Sequence, residues 1–292
     1  MNQIPIISVV ILNYQTYSDT IYFINQIKLQ ENVIVKILIV DNCSVNNSFA
    51  ILLDTYVDDN QVEVIKSERN GGYAYGNNFG FKYLENKKTD YILISNNDII
   101  IKNKILLSNL IISYLKCDKP AYLSPVMLNE KDELQRVSSW DIPSFLEDFK
   151  NLVFLDRIKD VNAKMKRVLL KECVSVECLP GAFTIIKKQT LFDLGLFDEG
   201  TFLYCEERIN ALKVKRKGLY NYLNTELSFV HKESETISQS FNYINRMIIL
   251  VKSRIYFHVK YNKYPKFFVN ILWLGLFLNV IIYFAYKKIK RC

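Results

Sequence analysis

Apolar residues along the first 130 positions keep two different rhythms. Residues 6–12, 35–40, 62–65 and 91–95 are short, largely apolar runs rich in Ile and Val, interrupted only by Ser8, Lys36 and Glu63, the pattern of strands buried in a sheet. Between them, residues 17–29 place Ile21, Ile24 and Ile27 at helical spacing, and residues 74–84 read as a helix behind a glycine-bearing loop. Strand-like and helix-like segments in alternation predict βα units on a parallel sheet. A helix from 103 to about 114 and a strand over 121–127 continue the series. Residues 130–172, with a Trp140-Asp141-Ile142-Pro143 turn and a charged stretch over 156–171, break it and predict an insertion or lid. Regular patterning returns at 174–179, the Pro180-Gly181 turn, 183–187 and a helix ending near Leu194-Gly195. With no internal repeat and no low-complexity linker, the pattern predicts one α/β domain over residues 1–235 and a helical extension over 236–292.

The polar residues that end these runs fall on one rim, since ligands of open α/β sheets bind outside the carboxyl ends of the strands. The run 91–95 stops at Asn96-Asn97-Asp98, which makes Asp98 a candidate ligand for a divalent cation. The same three residue types also turn a chain and cap a helix, and Asn103 follows closely. Asp41 ends the run 35–40 in the sequence Val40-Asp41-Asn42-Cys43-Ser44; it reads either as an acceptor for a ribose hydroxyl or base NH, or as a turn residue. Asn70-Gly71-Gly72-Tyr73-Ala74-Tyr75-Gly76-Asn77-Asn78-Phe79-Gly80 is a glycine loop before a helix, where backbone approaches closely and helix amides face an anion.

Charge sharpens the division of the chain. Of 38 basic residues ten lie after Glu235, where none of the 30 acids falls, so the net charge of +8 sits in a basic tail behind a near-neutral body. That distribution gives no nucleic-acid surface in the body and points instead to an anionic membrane. Within the tail, residues 267–286 are uncharged and flanked by Lys260, Lys263 and Lys266 before and Lys287, Lys288, Lys290 and Arg291 after. As a helix this stretch is about 30 Å long, the thickness of the bilayer core. Trp273, Tyr283 and Tyr286 suit headgroup depth, while Asn270 and Asn279 weaken a clean spanning reading and the basic flanks on both ends suit an interfacial helix or a partial insertion into anionic lipid. A buried or dimerising helix is the alternative. No basic-then-apolar leader opens the chain, and the six cysteines have no CxxC spacing, which suits reduced thiols in a cytosol. Only His231 and His258 are present, which excludes a multi-histidine metal site.

Taken in order, Ser8-Val9-Val10-Ile11-Leu12-Asn13-Tyr14, Val40-Asp41-Asn42-Cys43-Ser44, the 70–78 loop, Ser95-Asn96-Asn97-Asp98, Gly181-Ala182-Phe183, Gly195-Leu196-Phe197-Asp198-Glu199 and Phe202-Leu203-Tyr204-Cys205-Glu206-Glu207 resemble the family 2 glycosyltransferases of the GT-A fold, especially their rhamnosyltransferase-like branch. The resemblance covers residues 5–235 and implies a Rossmann-like mixed sheet flanked by helices, forming an inverting catalytic domain. It implies that Asn13, Tyr14, Asp41, Asn70, Gly71, Gly72, Asn77 and Asn97 hold a UDP- or dTDP-linked sugar, with Gly181 and Asp198 on the acceptor side. Asp98 is the last residue of a D-x-D-like motif, here Asn-Asn-Asp, and with His231 is expected to bind Mg²⁺ or Mn²⁺. Glu207 aligns with the family's general base, supported by Glu206. The family's second acid two places beyond the base is Ile209 here. The implied activity is hexosyl or rhamnosyl transfer to a glycan or lipid-linked acceptor at the cytoplasmic membrane face, in cell-surface polysaccharide synthesis. A sugar-nucleotide pyrophosphorylase shares the fold class, but Asn13-Tyr14-Gln15-Thr16 lacks the basic glycine-rich loop that reaction favours; an inactive glycan-binding scaffold is the non-enzymatic alternative.

Overall fold

A computed structural model describes residues 4–135, 138–153, 171–232 and 242–289. The chain opens with β1 (Ile6–Asn13), α1 (Tyr17–Ile27), β2 (Ile34–Asp41), α2 (Ser48–Thr55), β3 (Val62–Lys66), α3 (Gly72–Tyr83) and β4 (Tyr91–Ser95). A two-residue strand, β5 (Ile99–Ile100), precedes α4 (Leu106–Lys116), β6 (Pro120–Leu128) and α5 (Phe145–Val153). Next come β7 (Cys173–Val176), β8 (Phe183–Lys187), α6 (Lys188–Asp193), α7 (Glu206–Arg216) and β9 (Tyr220–His231). The chain ends in α8 (Tyr243–Lys260), α9 (Lys266–Val269) and α10 (Ile271–Ile289).

All described strands join one sheet in the order β3-β2-β1-β4-β8-β6-β9-β5, with β7 paired to β9 beside that path. The β3-β2-β1-β4 half is parallel, as the alternating pattern predicts. Beyond β4 the sheet turns mixed: β8 is antiparallel to both β4 and β6, while β6 and β9 run parallel. Largely apolar runs are explained by helices on both faces. Ile7, Val9 and Ile11 of β1 face the core shared with α1 and α4, whereas Val10, with Leu38 and Val40 of β2, faces α3. Gly80 lets α3 lie close there, because a Cβ at that position would stand 2.8 Å from the Val40 side chain.

Several element boundaries differ from the sequence expectation: α1 ends at Ile27 rather than near Leu29, β7 covers Cys173–Val176 rather than 174–179, and three further differences have local causes. Gly72 enters α3 at a φ of +88°, two residues before the expected start. Asn103 accepts from the Ile105 amide, which delays α4 to Leu106. The tail helix breaks at Asn270 into α9 and α10. Most of the charged stretch 156–171 and the expected boundary at 235/236 lie outside the described residues. Trp140, in the expected turn, exchanges backbone hydrogen bonds with Cys178.

The helices after residue 242 pack on α5 and α7. Leu152 of α5, Val251 of α8 and Val269, Leu272 and Leu276 of α9–α10 form one apolar cluster, while Phe257 of α8 meets Cys205 and Ile209 beside α7. At the junction Asp148 of α5 is fully buried. Its Oδ2 accepts from Arg208 of α7 at 2.6 Å and lies 2.9 Å from His258 Nε2 of α8. Arg254 Nε lies 3.2 Å from Oδ1, and the Arg254 guanidinium also donates to the Asp148 carbonyl. Burial alone would raise the Asp148 pKa; the His258 hydrogen bond and the Arg208 and Arg254 charges outweigh it and hold the carboxyl below the usual range.

A carboxylate depressed in this way stabilises the fold above its unfolded pKa and loses that contribution as pH falls through its folded one. Asp148→Asn leaves two guanidinium groups buried around a neutral partner and is expected to cost about 3–5 kcal/mol. Urea denaturation at neutral pH checks this; an unchanged midpoint would remove the cluster from the account.

Candidate active site

β1 and β2 are in parallel register with Asn13 opposite Asp41, so both side chains stand at one carboxyl edge. Asp41 Oδ2 accepts from Asn13 Nδ2 at 2.8 Å, and Oδ1 accepts from the Ser44 amide at 2.8 Å. Asn13 Oδ1 in turn accepts from Thr20 Oγ1 at 2.9 Å, and Thr20 Oγ1 accepts from Asn97 Nδ2 at 2.9 Å. Asn97 Nδ2 also donates to Thr16 Oγ1 at 2.8 Å. Asn13, Thr20 and Asp41 are wholly buried, so this chain of amide, hydroxyl and carboxylate fastens the ends of β1, β2 and β4 to the start of α1. Gln15 and Cys43 hold left-handed φ values of 64° and 59° in the two adjoining loops, and the Gln15 amide donates to Ser44 Oγ. Tyr14 is half-buried beside them.

The glycine loop is braced on both sides. Asn42 Nδ2 donates to Asn70 Oδ1 at 3.1 Å and to the Gly72 carbonyl at 3.2 Å, while the Gly72 amide also donates to Asn70 Oδ1. Gly71 precedes α3 with its would-be Cβ against the Tyr75 ring. A Cβ on Gly72 would stand 1.9 Å from the Phe202 carbonyl oxygen, which accepts the Tyr73 amide at 2.9 Å. The first amides of α3 are thus engaged by Asn70 and Phe202. Tyr73 Oη donates to the Gly181 carbonyl at 2.6 Å, and Asn78 exchanges two hydrogen bonds with the Phe197 backbone. Asn77 Nδ2 donates to the Tyr73 carbonyl, whereas its buried Oδ1 has no hydrogen-bond partner.

Beyond Asn97, the short β5 pairs with β9 so that Ile99 lies opposite His231. This places His231 Nε2 3.2 Å from Asp98 Oδ1, a buried oxygen that receives no hydrogen bond. Asn96 Nδ2 lies 3.4 Å from the same Nε2. Which partner of the Asn96–His231 pair donates depends on the His231 tautomer. With its lone pair on Nε2, the imidazole and the hydrogen-bond-free Asp98 Oδ1 present two donor atoms to a hard cation. With metal–ligand bonds of about 2.1 Å, adjacent positions of an octahedral shell stand about 3 Å apart. The residues present therefore fit a divalent ion, with substrate and water left to fill the remaining positions; no cluster of three or more His, Cys, Asp or Glu exists among the described residues.

Glu206 and Glu207 open α7 after two consecutive left-handed residues, Tyr204 (φ 70°) and Cys205 (φ 71°). Such a backbone persists where its surroundings over-determine it. Here the Tyr73 amide holds the Phe202 carbonyl, Ser253 of α8 donates to the Leu203 carbonyl at 2.7 Å, and Cys205 packs on Phe257. Glu206 is buried with Oε2 unpartnered, and both glutamates line a cavity of about 30 Å³ with Tyr73, Thr184, Asn210 and Asn221. That volume holds a water, not a sugar. Burial, and then the charge of Glu207, push the Glu206 carboxyl well up. Burial also raises Glu207, opposed by the Arg208 charge and the Gly181 amide. Gly181 connects the two ends of the rim, because the next residue, Ala182, accepts the Asn96 amide at 2.9 Å.

Asp198 is not among the residues that line this cavity. It accepts from the Gly200 amide, Tyr256 Oη, Lys260 Nζ at 2.8 Å and Tyr261 Oη, and so ties the acceptor-side segment to α8. Burial would raise its pKa, but the Lys260 and tyrosine hydrogen bonds lower it far below the carboxylate range. Ile209, where the resemblance expects a second acid, is buried against Phe257. Sequence reasoning overlooks Thr16, Thr20, Tyr73, Asp148 and Arg208. Arg208 had a local signal, a cation directly after two acids; Asp148 had one in the apolar spacing of Phe145, Phe149 and Leu152.

Comparison with known proteins gives this rim a context. The sequence profile described as Glycosyl transferase family 2 matches residues 8–158. Rhamnosyltransferase WbbL of Escherichia coli is 26% identical over 154 residues, 51% of this chain and 56% of that protein, so the match spans little more than half of the relative. Uncharacterized glycosyltransferase YfnE of Bacillus subtilis is 24% identical over 271 residues, covering 83% of this chain and 67% of that one. Among solved structures, mannosyltransferase PcManGT from Pyrobaculum calidifontis, in complex with GDP-Man and Mn²⁺, superposes with a TM-score of 0.61 over 95% of this chain and 70% of its own. At 14% identity that likeness establishes the fold, the mixed α/β arrangement expected from the resemblance.

A carboxyl whose folded pKa is raised stabilises fully below its unfolded pKa and progressively less as pH rises through the folded one. Glu206→Gln is therefore expected to raise the Tm at about pH 8 and to leave it nearly unchanged at about pH 4. Thermal melts at both values check this, and a lower Tm at the higher pH would show that Glu206 is held as a charged group.

Proposed function

The chain belongs to glycosyl transferase family 2, and on that footing we propose that it is an inverting glycosyltransferase using a nucleoside-diphosphate sugar. The observation that carries this is the shared rim. Glu207 lines one cavity with Gly181, the next residue Ala182 receives the Asn96 amide, and two residues later Asp98 stands against His231. A proton acceptor and a site for the diphosphate's counter-cation are thereby fixed to one another through β8 and β4. Support for a sugar-nucleotide donor comes from PcManGT, solved with GDP-Man and Mn²⁺. UDP- and dTDP-linked hexoses or rhamnose are the donors we would test first, with a glycan or lipid-linked acceptor in cell-surface polysaccharide synthesis.

In this reading Glu207 takes the proton of the acceptor hydroxyl as its oxygen bonds to the anomeric carbon from the face opposite the leaving group. The bond from that carbon to the diphosphate oxygen breaks, and the nucleoside diphosphate departs with the electron pair. Asp98 and His231 would hold Mg²⁺ or Mn²⁺, which neutralises charge on the departing diphosphate. Arg208, paired with Asp148, restrains the rise in the Glu207 pKa. The buried network around Asp41 positions the loops bearing Tyr14 and Asn70 for the nucleotide. The C-terminal helices bring this rim to the cytoplasmic membrane surface, where a lipid-linked acceptor is met.

A screen of UDP-, GDP- and dTDP-sugars, scored by nucleoside diphosphate release with and without Mn²⁺, tests the proposal; no release from any donor would refute it. Glu207→Gln is expected to lower kcat by about 10²- to 10⁴-fold while leaving donor affinity intact. Because activity requires ionised Glu207 and burial raises its pKa, the acid limb of wild-type kcat should lie above the ordinary glutamate range of about 4.3. Asp98→Asn is expected to raise the Mn²⁺ concentration for half-maximal donor binding about tenfold or more. Calorimetry with the nucleoside diphosphate reads that shift, and wild-type Mn²⁺ dependence in the variant would move the cation elsewhere.

A further inference from the structure

The last helices carry two opposite, largely apolar faces. Val269, Leu272, Leu276 and Asn279 form the inner one, buried against Phe149 and Leu152 of α5 and against α8. Asn279, a polar residue in an otherwise apolar helix, donates to the Leu152 carbonyl at 2.8 Å and accepts from Tyr243 Oη at 2.5 Å. Tyr283 stacks on Tyr243 with ring centroids 4.2 Å apart. The outer face is Phe267, Ile271, Leu274, Phe277, Ile281 and Phe284, exposed by between 42% and 81%. A helix on the surface of a water-soluble domain turns polar residues outward. This one turns a continuous apolar stripe outward, of the kind that marks an interaction surface.

We infer that this stripe docks α9–α10 lengthwise into the headgroup–acyl boundary of an anionic bilayer, half-sunk rather than crossing it. This rests on the reading of the tail as membrane-associating and specifies its mode. By length and composition Lys266–Phe284 is apolar enough to cross, with a mean hydropathy of 2.1. Crossing is opposed by what the inner face holds. α5 comes with it, bearing exposed Glu147 and Lys150, and so does the buried Asp148 ion cluster; hydrocarbon would strip water from the exposed charges. Charge selects the lipid. The region after Glu235 has ten basic residues and no acid, with exposed Lys263 and Lys266 at the start of the stripe. A second copy of this chain would bring the same positive charge to the same face. Since α5 and α8 join this helix to α7, the docked plane also fixes the height at which Glu207 meets a membrane-held acceptor.

Vesicle flotation of the full chain provides the test. Wild type is expected to float with phosphatidylglycerol-containing vesicles, less with pure phosphatidylcholine, and to be released by alkaline carbonate. Leu274→Glu with Phe277→Glu alters two exposed side chains and should leave the Tm unchanged, yet reduce the vesicle-bound fraction about tenfold or more. In a Trp140→Phe background, bromine placed shallow on the acyl chains should quench Trp273 more than bromine at the bilayer centre. Carbonate-resistant binding with deepest quenching at the centre would overturn the in-plane mode while keeping membrane association. Flotation unaffected by the double substitution would overturn the stripe, and no binding to any vesicle, with self-association abolished by the same substitution, would assign the face to a second copy. Donor hydrolysis measured on the same preparations reports separately on the catalytic reading.

Discussion

The rim depends on one buried carboxylate. Asp41 stands at the end of β2 with no exposed surface, and its two oxygens take the Asn13 amide and the Ser44 amide. A buried carboxylate needs such partners, since leaving either oxygen dry and unpaired would cost several times the net value of a hydrogen bond. Satisfying it sets the Asn13 side chain, which sets Thr20, which sets Asn97. Asn97 lies one residue before Asp98, so the orientation of the candidate metal ligand is inherited from a chain of hydrogen bonds that begins two strands away. Sheet register alone would align the backbones of β1, β2 and β4; the polar chain aligns what they carry.

A second constraint works from the opposite side. The loop that introduces Glu206 and Glu207 holds two left-handed non-glycine residues, and it keeps that form because Tyr73, Ser253 and Phe257 grip it. Two of those three belong to α8. Asp198 and Asp148 add further ties to the same helix through Tyr256, Lys260, Arg254 and His258. The C-terminal helices are therefore part of the scaffold that holds α7. A surface that binds their outer face is mechanically connected to the start of α7 through buried ions and close-packed rings, which deform little.

Much of this was legible in the residues, and the illegible part has a common cause. The run 91–95 coincides with β4, and the parallel β1–β4 half follows from short apolar runs alternating with helical spacing. The GT-A arrangement followed from motif order. By contrast, α2 has only Ser48 and Leu52 buried, too weak a stripe to read. β5 is two residues long and exists because β9 pairs with it, yet it is what sets His231 against Asp98. The glycine loop reads as an open anion cradle from composition, whereas the Phe202 carbonyl, far along the chain, occupies the Tyr73 amide. Asn279 weakened a spanning reading without revealing that it reaches Leu152. Local rhythm encodes local elements; contacts across long sequence separations decide which polar groups remain available.

The central claim is that Asp98, His231 and Glu207 act on one sugar nucleotide from a single rim. Its most direct test is a crystal structure of the protein with Mn²⁺ and a donor that supports turnover. The account predicts the ion bonded to Asp98 and His231 and to the diphosphate, the nucleoside beside the loops after β1 and β2, and the Glu207 carboxylate on the face of the anomeric carbon opposite the diphosphate. A donor bound away from this rim, or one whose anomeric carbon lies out of reach of an acceptor held by Glu207, would contradict it.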